Sequence, residues 1–166
     1  MKKLSFLLAL CVFSAFAAEV NLIPDAAGKE KFKGWYNPAS AQITAADGII
    51  TITANPDPKV NPYQKAQALI KLKGAAVQGK KFELSFKYRT GKLTGAVQLA
   101  IRETYQKTGV YHGHILKKWD VSNEWKEMKY HFTTRKDAKE LCFYLVGRYM
   151  KAGEKVQLKE IRLIAK

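Results

Sequence analysis

Apolar and polar residues alternate with a period of two along most of this chain. In KKFELSFKYRT, residues 80 to 90, Phe82, Leu84, Phe86 and Tyr88 fall on one face, with Glu83, Ser85, Lys87 and Arg89 on the other. GAVQLAIRE repeats the pattern with Val97, Leu99 and Ile101 against Gln98, Ala100 and Arg102. WKEMKYHFT sets Met128, Tyr130 and Phe132 against Lys129, His131 and Thr133; ELCFYLVGR sets Leu141, Phe143 and Leu145 against Cys142, Tyr144 and Val146. Successive side chains of a strand point to opposite sides, so each segment reads as a strand that covers a core from one side. DGIITIT, QALIKLK and VQLKEIRLI predict three more strands, and no helical period competes with them.

Turn residues separate these runs: Asp47-Gly48, Gly74, Gly79, Gly91, Gly95, Ser122-Asn123 and Gly153. Seven or more short strands, each with one buried face, predict an all-β fold, an antiparallel β-sandwich rather than a meander closed into a barrel. The Pro-rich segment NPDPKVNPY, residues 55 to 63, cannot be an interior strand and is expected as a long loop at one end of the sandwich, where ligand contacts commonly lie.

The N-terminus decides which residues enter the fold. Lys2 and Lys3 precede the apolar run LSFLLALCVFSAF, and Ala15-Phe16-Ala17 offers the small-x-small pattern of a signal-peptidase site. Residues 1–17 therefore read as a signal peptide and 18–166 as one domain of about 148 residues, with no linker and no internal repeat. Cys11 raises a lipoprotein reading, but Leu10 stands where that motif needs a small residue. No apolar run reaches the roughly 20 residues of a membrane-spanning helix. An exported protein, periplasmic or extracellular, is expected.

Removal of the leader leaves Cys142 alone, so no intrachain disulfide can form and the core must hold the fold. Lys and Arg number 29 against 14 Asp and Glu; without Lys2 and Lys3 the balance is 27 against 14, a net charge of +13. Such a chain is drawn to polyanions. Export argues against nucleic acid, which leaves an acidic polysaccharide or an anionic envelope surface, with a general solubility charge as the plainer reading.

NLIP at residues 21–24, Gly34-Trp35, SNEWKEMKYHFT at 122–133 and the closing VQLKEIRLI together resemble the carbohydrate-binding modules of families 4 and 9. The most specific part is SNEWKEMKYHFT, a turn, a Trp and an alternating strand in that order. The resemblance spans nearly the whole mature chain. It implies a jelly roll that binds sugar without catalysis, through aromatic and polar side chains on a concave sheet face or its rim. Two features depart from the family. Lys159-Glu160 stand where its members carry an aspartate that helps hold a structural calcium, so no cofactor is expected and the calcium is in question. The surface is also basic where the family's is neutral.

Sugar rings present C–H faces that stack on aromatic planes and hydroxyl edges that need fixed polar partners. The outward positions of three predicted strands supply both: Arg89, Gln98, Arg102, Tyr144 and Arg148. Tyr111 and Trp119, near loops, complete the candidate ligand-binding set; ordinary solvated positions are the alternative. An acidic sugar would suit the guanidinium fork of Arg102 or Arg148. The resemblance places Trp35 and Trp125 at framework positions.

In YHGHI, residues 111 to 115, His112 and His114 share a face if the strand is regular, as two metal ligands would. A third ligand is missing: His131 is the only other histidine, and no acid lies between Tyr105 and Trp119. No metal is expected. A glycosidase would need two carboxylates roughly 5 to 9 Å apart across a cleft. Glu83, Glu103 and Glu127 sit instead among lysines and arginines, where solvated ion pairs explain them. The sequence thus predicts a monomeric, non-catalytic carbohydrate-binding module. The alternative is a basic adhesion or structural module that holds an envelope polymer or protein by charge.

Overall fold

The computed structural model describes residues 19–36, 41–57, 59, 66–105, 111–118 and 120–166, with the backbone alone for 66–69, 111–118 and 145–148. The predicted leader, part of the Pro-rich segment and Trp119 lie outside the described residues. Residues 55–57 carry no regular structure.

Two five-stranded sheets face each other. One contains β1 (Trp35–Tyr36), β4 (Ala66–Lys73), β6 (Ala96–Tyr105), β7 (Tyr111–Lys118) and β9 (Ala138–Arg148), in the order β1-β4-β9-β6-β7. The other contains β2 (Gln42–Ala46), β3 (Ile49–Thr53), β5 (Lys81–Arg89), β8 (Lys126–Thr133) and β10 (Lys155–Ala165), in the order β2-β3-β10-β5-β8. All pairs are antiparallel. After the β2–β3 hairpin the chain crosses between the sheets repeatedly, with only β6 and β7 following each other within one. This is the expected jelly-roll β-sandwich.

The alternating apolar positions meet between the sheets. Phe82, Ile50, Ile52, Ile101, Leu141 and Leu163 are fully buried there. Phe82 stacks on Phe132 with ring centroids 5.3 Å apart, and Phe132 meets Phe143 of the opposite sheet edge-on at 6.3 Å. Both are favoured ring arrangements, so the aromatic row joins the layers as well as filling the space.

Local chemistry fixes the connections. Asp47 and Gly48, with φ of 51° and 72°, turn the chain from Ala46 to its partner Ile49, the two-residue geometry that suits twisted antiparallel strands. Glu160, with φ of 54°, sits in a bulge where the register of β10 on β5 slips between Lys159 and Arg162. Asn21 sews the N-terminal segment to that irregularity. Its Nδ2 donates to the Ile161 carbonyl at 2.8 Å, and its Oδ1 accepts from the amides of Leu163 at 2.9 Å and Ile23 at 3.2 Å.

Three features depart from simple alternation. Gln98, Ala100 and Cys142 belong to the face turned away from the core, yet each is at most 6% exposed. Glu103 is fully buried, which corrects the expectation of a solvated ion pair. It falls on the same side of β6 as Val97, Leu99 and Ile101, and its Oε2 accepts the Arg135 amide at 2.9 Å. The third is in β7: Ile101 pairs with Ile115 but Arg102 with Gly113, so His114 is the extra residue of the slip. The same-face argument for His112 and His114 assumed a regular strand and does not carry across this slip.

Candidate functional site

The outward face of the β1-β4-β9-β6-β7 sheet gathers three of the sequence-derived candidates. β6 supplies Gln98, Ala100 and Arg102; β9 supplies Cys142 and Tyr144; the register sets Arg102 beside Cys142 and Ala100 beside Tyr144. Arg102 therefore reaches Tyr144 diagonally, its Cζ 5.1 Å from the ring centroid, a cation–π contact. Ala100, with no bulk beyond Cβ, leaves room beside the Tyr144 ring. Burial of outward-facing Gln98, Ala100 and Cys142 means that neighbouring side chains rise around them, so this part of the sheet is a floor and not a crest.

Gln98 is the informative residue on that floor. It is 5% exposed and its Oε1 finds no hydrogen-bond partner among the described residues. Leaving a buried carbonyl unpaired costs about 1–3 kcal/mol. A ligand hydroxyl would satisfy it.

Cys142 contributes no reactivity. Burial pushes its thiol up to about 12, helped by the hydrogen bond from Sγ to Glu140 Oε1 at 3.0 Å. Burial also raises the Tyr144 phenol, with the Cys142 sulfur beside it adding to the effect and Arg102 opposing it. Both groups are neutral hydrogen-bonding side chains at physiological pH. Lys71, exposed on β4 opposite Cys142, and the Lys73–Glu140 pair at 3.4 Å bring charge to the flank.

The remaining candidates separate. Arg148, at the end of the central strand β9, and Tyr111, at the start of the edge strand β7, occupy register positions opposite Ala96 and Thr104; their side chains lie outside the described residues, as does Trp119. Arg89 stands on the other sheet, next to β10, and faces away from the first group across the sandwich. Its Nε and Nη2 both donate to Gln157 Oε1, at 2.9 and 2.6 Å, and its Cζ lies 4.9 Å from the Trp125 ring centroid. Lys159 Nζ lies 4.4 Å from the same ring. Trp125 is thus an edge residue carrying two cations. Trp35 packs against the core, its Nε1 donating to the Pro24 carbonyl at 2.7 Å. The Arg89–Gln157 pairing joins residues 68 apart in the chain, and no local signal announces it.

The acids weighed as glycosidase candidates lie in three surroundings. Glu103 is buried in the core; Glu83 is near Lys129, His131 and Lys166, at 3.8 to 4.0 Å; Glu127 is exposed at the edge of the second sheet. Among the described residues no group of three His, Cys, Asp or Glu could hold a metal. The residues at the last strand do not fit a structural calcium. Glu160 accepts from Lys87 Nζ at 2.7 Å, with Lys159 Nζ at 4.0 Å, and the Lys87 contact holds its carboxyl below the usual range. A cation already occupies the carboxylate.

No family model and no curated protein matches this chain. Its fold is similar to solved structures of carbohydrate-binding modules. One is a family 4 module, at 15% identity and TM-score 0.57, covering 80% of this chain and 86% of that one. Another is the second N-terminal cellulose-binding domain of Cellulomonas fimi β-1,4-glucanase C, at 18% identity and TM-score 0.59, covering 91% and 97%. A third is a family 22 xylan-binding domain of Paenibacillus barcinonensis, at 12% identity and TM-score 0.56, covering 80% and 85%. The resemblance read in the sequence holds at the level of fold: this is an antiparallel jelly-roll sandwich, similar in fold to those modules.

Proposed function

We propose that the protein is an exported, non-catalytic carbohydrate-binding module, that it binds an acidic polysaccharide, and that the Gln98–Arg102–Tyr144 face receives the sugar. The observation that carries the reading is the buried Gln98 Oε1, without a hydrogen-bond partner among the described residues, on an outward sheet face beside a ring and a guanidinium in contact. An amide acceptor, a guanidinium donor and an aromatic plane are the three contacts a sugar ring needs. The fold similarity to modules named for cellulose and xylan supports this reading. The excess of 29 Lys and Arg over 14 Asp and Glu supports an anionic polymer as the ligand class. The leader-like N-terminus supports export; no helix among the described residues is long and apolar enough to cross a membrane.

The same charge favours a second reading, adhesion to an envelope polymer by electrostatics alone. Titration of the protein with neutral and acidic oligosaccharides at low and high salt separates the two. Stacking and hydrogen bonding persist at high salt, and Tyr144→Ala then weakens binding about tenfold. Binding that vanishes with salt and ignores Tyr144→Ala belongs to the charge reading.

A further inference from the structure

The turns after β5, before β8 and before β10 border a solvent-open cavity of about 620 Å3. Its size is that of a small-ligand pocket. Its walls are stitched together. Thr90 and Gly91 donate their amides to the Ser122 carbonyl at 3.0 and 3.1 Å, and Ser122 returns its amide to Thr90 Oγ1 at 2.8 Å. The Ala54 amide meets the Glu154 carbonyl at 2.9 Å.

Charge in this cavity is one-sided. Arg89, Lys92 and Lys155 line it, and Glu154 is its one acid. The Glu154 carboxylate is already used: Oε1 accepts from the Thr94 amide and hydroxyl, each at 2.8 Å, and Oε2 from the Lys151 amide at 2.8 Å. It braces two turns, and its single negative charge against the three cations leaves the lining with an excess of positive charge.

Arg89 is presented for a particular use. Gln157 Oε1 takes the Nε and Nη2 edge of its guanidinium, and its Cζ lies 4.9 Å from the Trp125 ring centroid. Gln157 is itself steadied by Thr51 Oγ1 at 3.4 Å. The other edge, formed by Nη1 and the second Nη2 proton, has no hydrogen-bond partner among the described residues. Two parallel N–H groups held in a fixed plane match the two oxygens of a carboxylate or sulfate, and pre-positioning lowers the entropy lost on binding.

We propose that the Arg89 cavity is a second ligand site, one that reads the carboxylate or sulfate of an acidic saccharide through the open guanidinium fork, with Lys92 and Lys155 adding attraction. The site lies on the opposite sheet from the sugar-binding face proposed above and stands independently of it.

The test is calorimetric titration at physiological salt with tetragalacturonate, its fully methyl-esterified neutral form, sulfated cellotetraose and inorganic sulfate. Arg89→Met keeps the stem and removes the fork; it is expected to weaken tetragalacturonate or sulfated cellotetraose about tenfold or more, and to leave the methyl ester untouched. Arg89→Lys restores charge without the fork and recovers only part. Which of the two acidic oligosaccharides responds tells a carboxylate reader from a sulfate reader. Tyr144→Ala leaves the Arg89-dependent difference in place, because that residue serves the other face. If Arg89→Met fails to fold, the double substitution Lys92→Gln and Lys155→Gln is measured instead, with the same selective loss expected. The proposal is overturned by unchanged affinity in these variants, by equal loss of acidic and esterified forms, by no binding of either acidic oligosaccharide, or by inorganic sulfate binding as tightly as the oligosaccharides.

Discussion

Gln98, Cys142 and Tyr144 share one environment and show what single residues in it do. Burial of the Gln98 amide with an unpaired oxygen opposes folding, so Gln98→Met should raise stability by about 1 kcal/mol in denaturant titrations while weakening oligosaccharide binding. A gain in stability with binding intact would remove Gln98 from the site. The Cys142 thiol is pushed from 9.0 up to about 12, so it stays protonated in the folded protein and should resist iodoacetamide until the chain unfolds. The sign of the pH effect follows. The folded state holds this proton more tightly than the unfolded one, so stability from this group is complete below pH 9.0 and falls as pH rises from there toward 12. Thermal melts of Cys142→Ala should show a shallower alkaline loss than the unaltered protein. The alternation in ELCFYLVGR marked Cys142 and Tyr144 as outward residues; their burial was not legible, because it depends on what the neighbouring strands place beside them.

The elements owe their boundaries to short local devices. Gly48 has open space where a Cβ would stand, so Gly48→Ala meets no clash and costs only the left-handed backbone conformation, about 1 kcal/mol. A much larger loss of denaturation midpoint would mean that the β2–β3 hairpin bears more than its own turn. Asn21 is the opposite case. Its three hydrogen bonds tie the N-terminal segment to the bulge of β10, and Asn21→Ala should cost about 2–3 kcal/mol, with earlier amide exchange at Leu163 and Ile23. The Asp47-Gly48 turn was readable as a dipeptide. The NLIP segment carried only a resemblance, since the bulge that Asn21 serves arises from pairing with β5 far away in the chain.

On the scale of the molecule, the two sheets are joined by an apolar and aromatic core, and the Glu160 carboxylate of the last strand pairs with Lys87. We expect the fold to stand without calcium: chelator should leave the melting temperature unchanged, and added calcium should not raise it. A clear rise would show that ligands outside the described residues complete an ion site. The net positive charge should instead appear in kinetics, as association with acidic polymers that slows steeply with ionic strength.

The sequence by itself determined the architecture, because a period of two repeated in seven segments leaves each segment one face to bury, and stacked sheets are the economical way to bury them all. It also determined the strongly basic charge balance. Tertiary structure alone decided the grouping of the chemistry. Arg89, Gln98, Arg102 and Tyr144 all read as outward residues, but outward from which sheet depends on strand order. The crossing of the chain between layers put Arg89 with Gln157 on one side of the sandwich and the other three on the far side. Alternation specifies a face of a strand; only the pairing of strands distant in the chain specifies what that face looks upon.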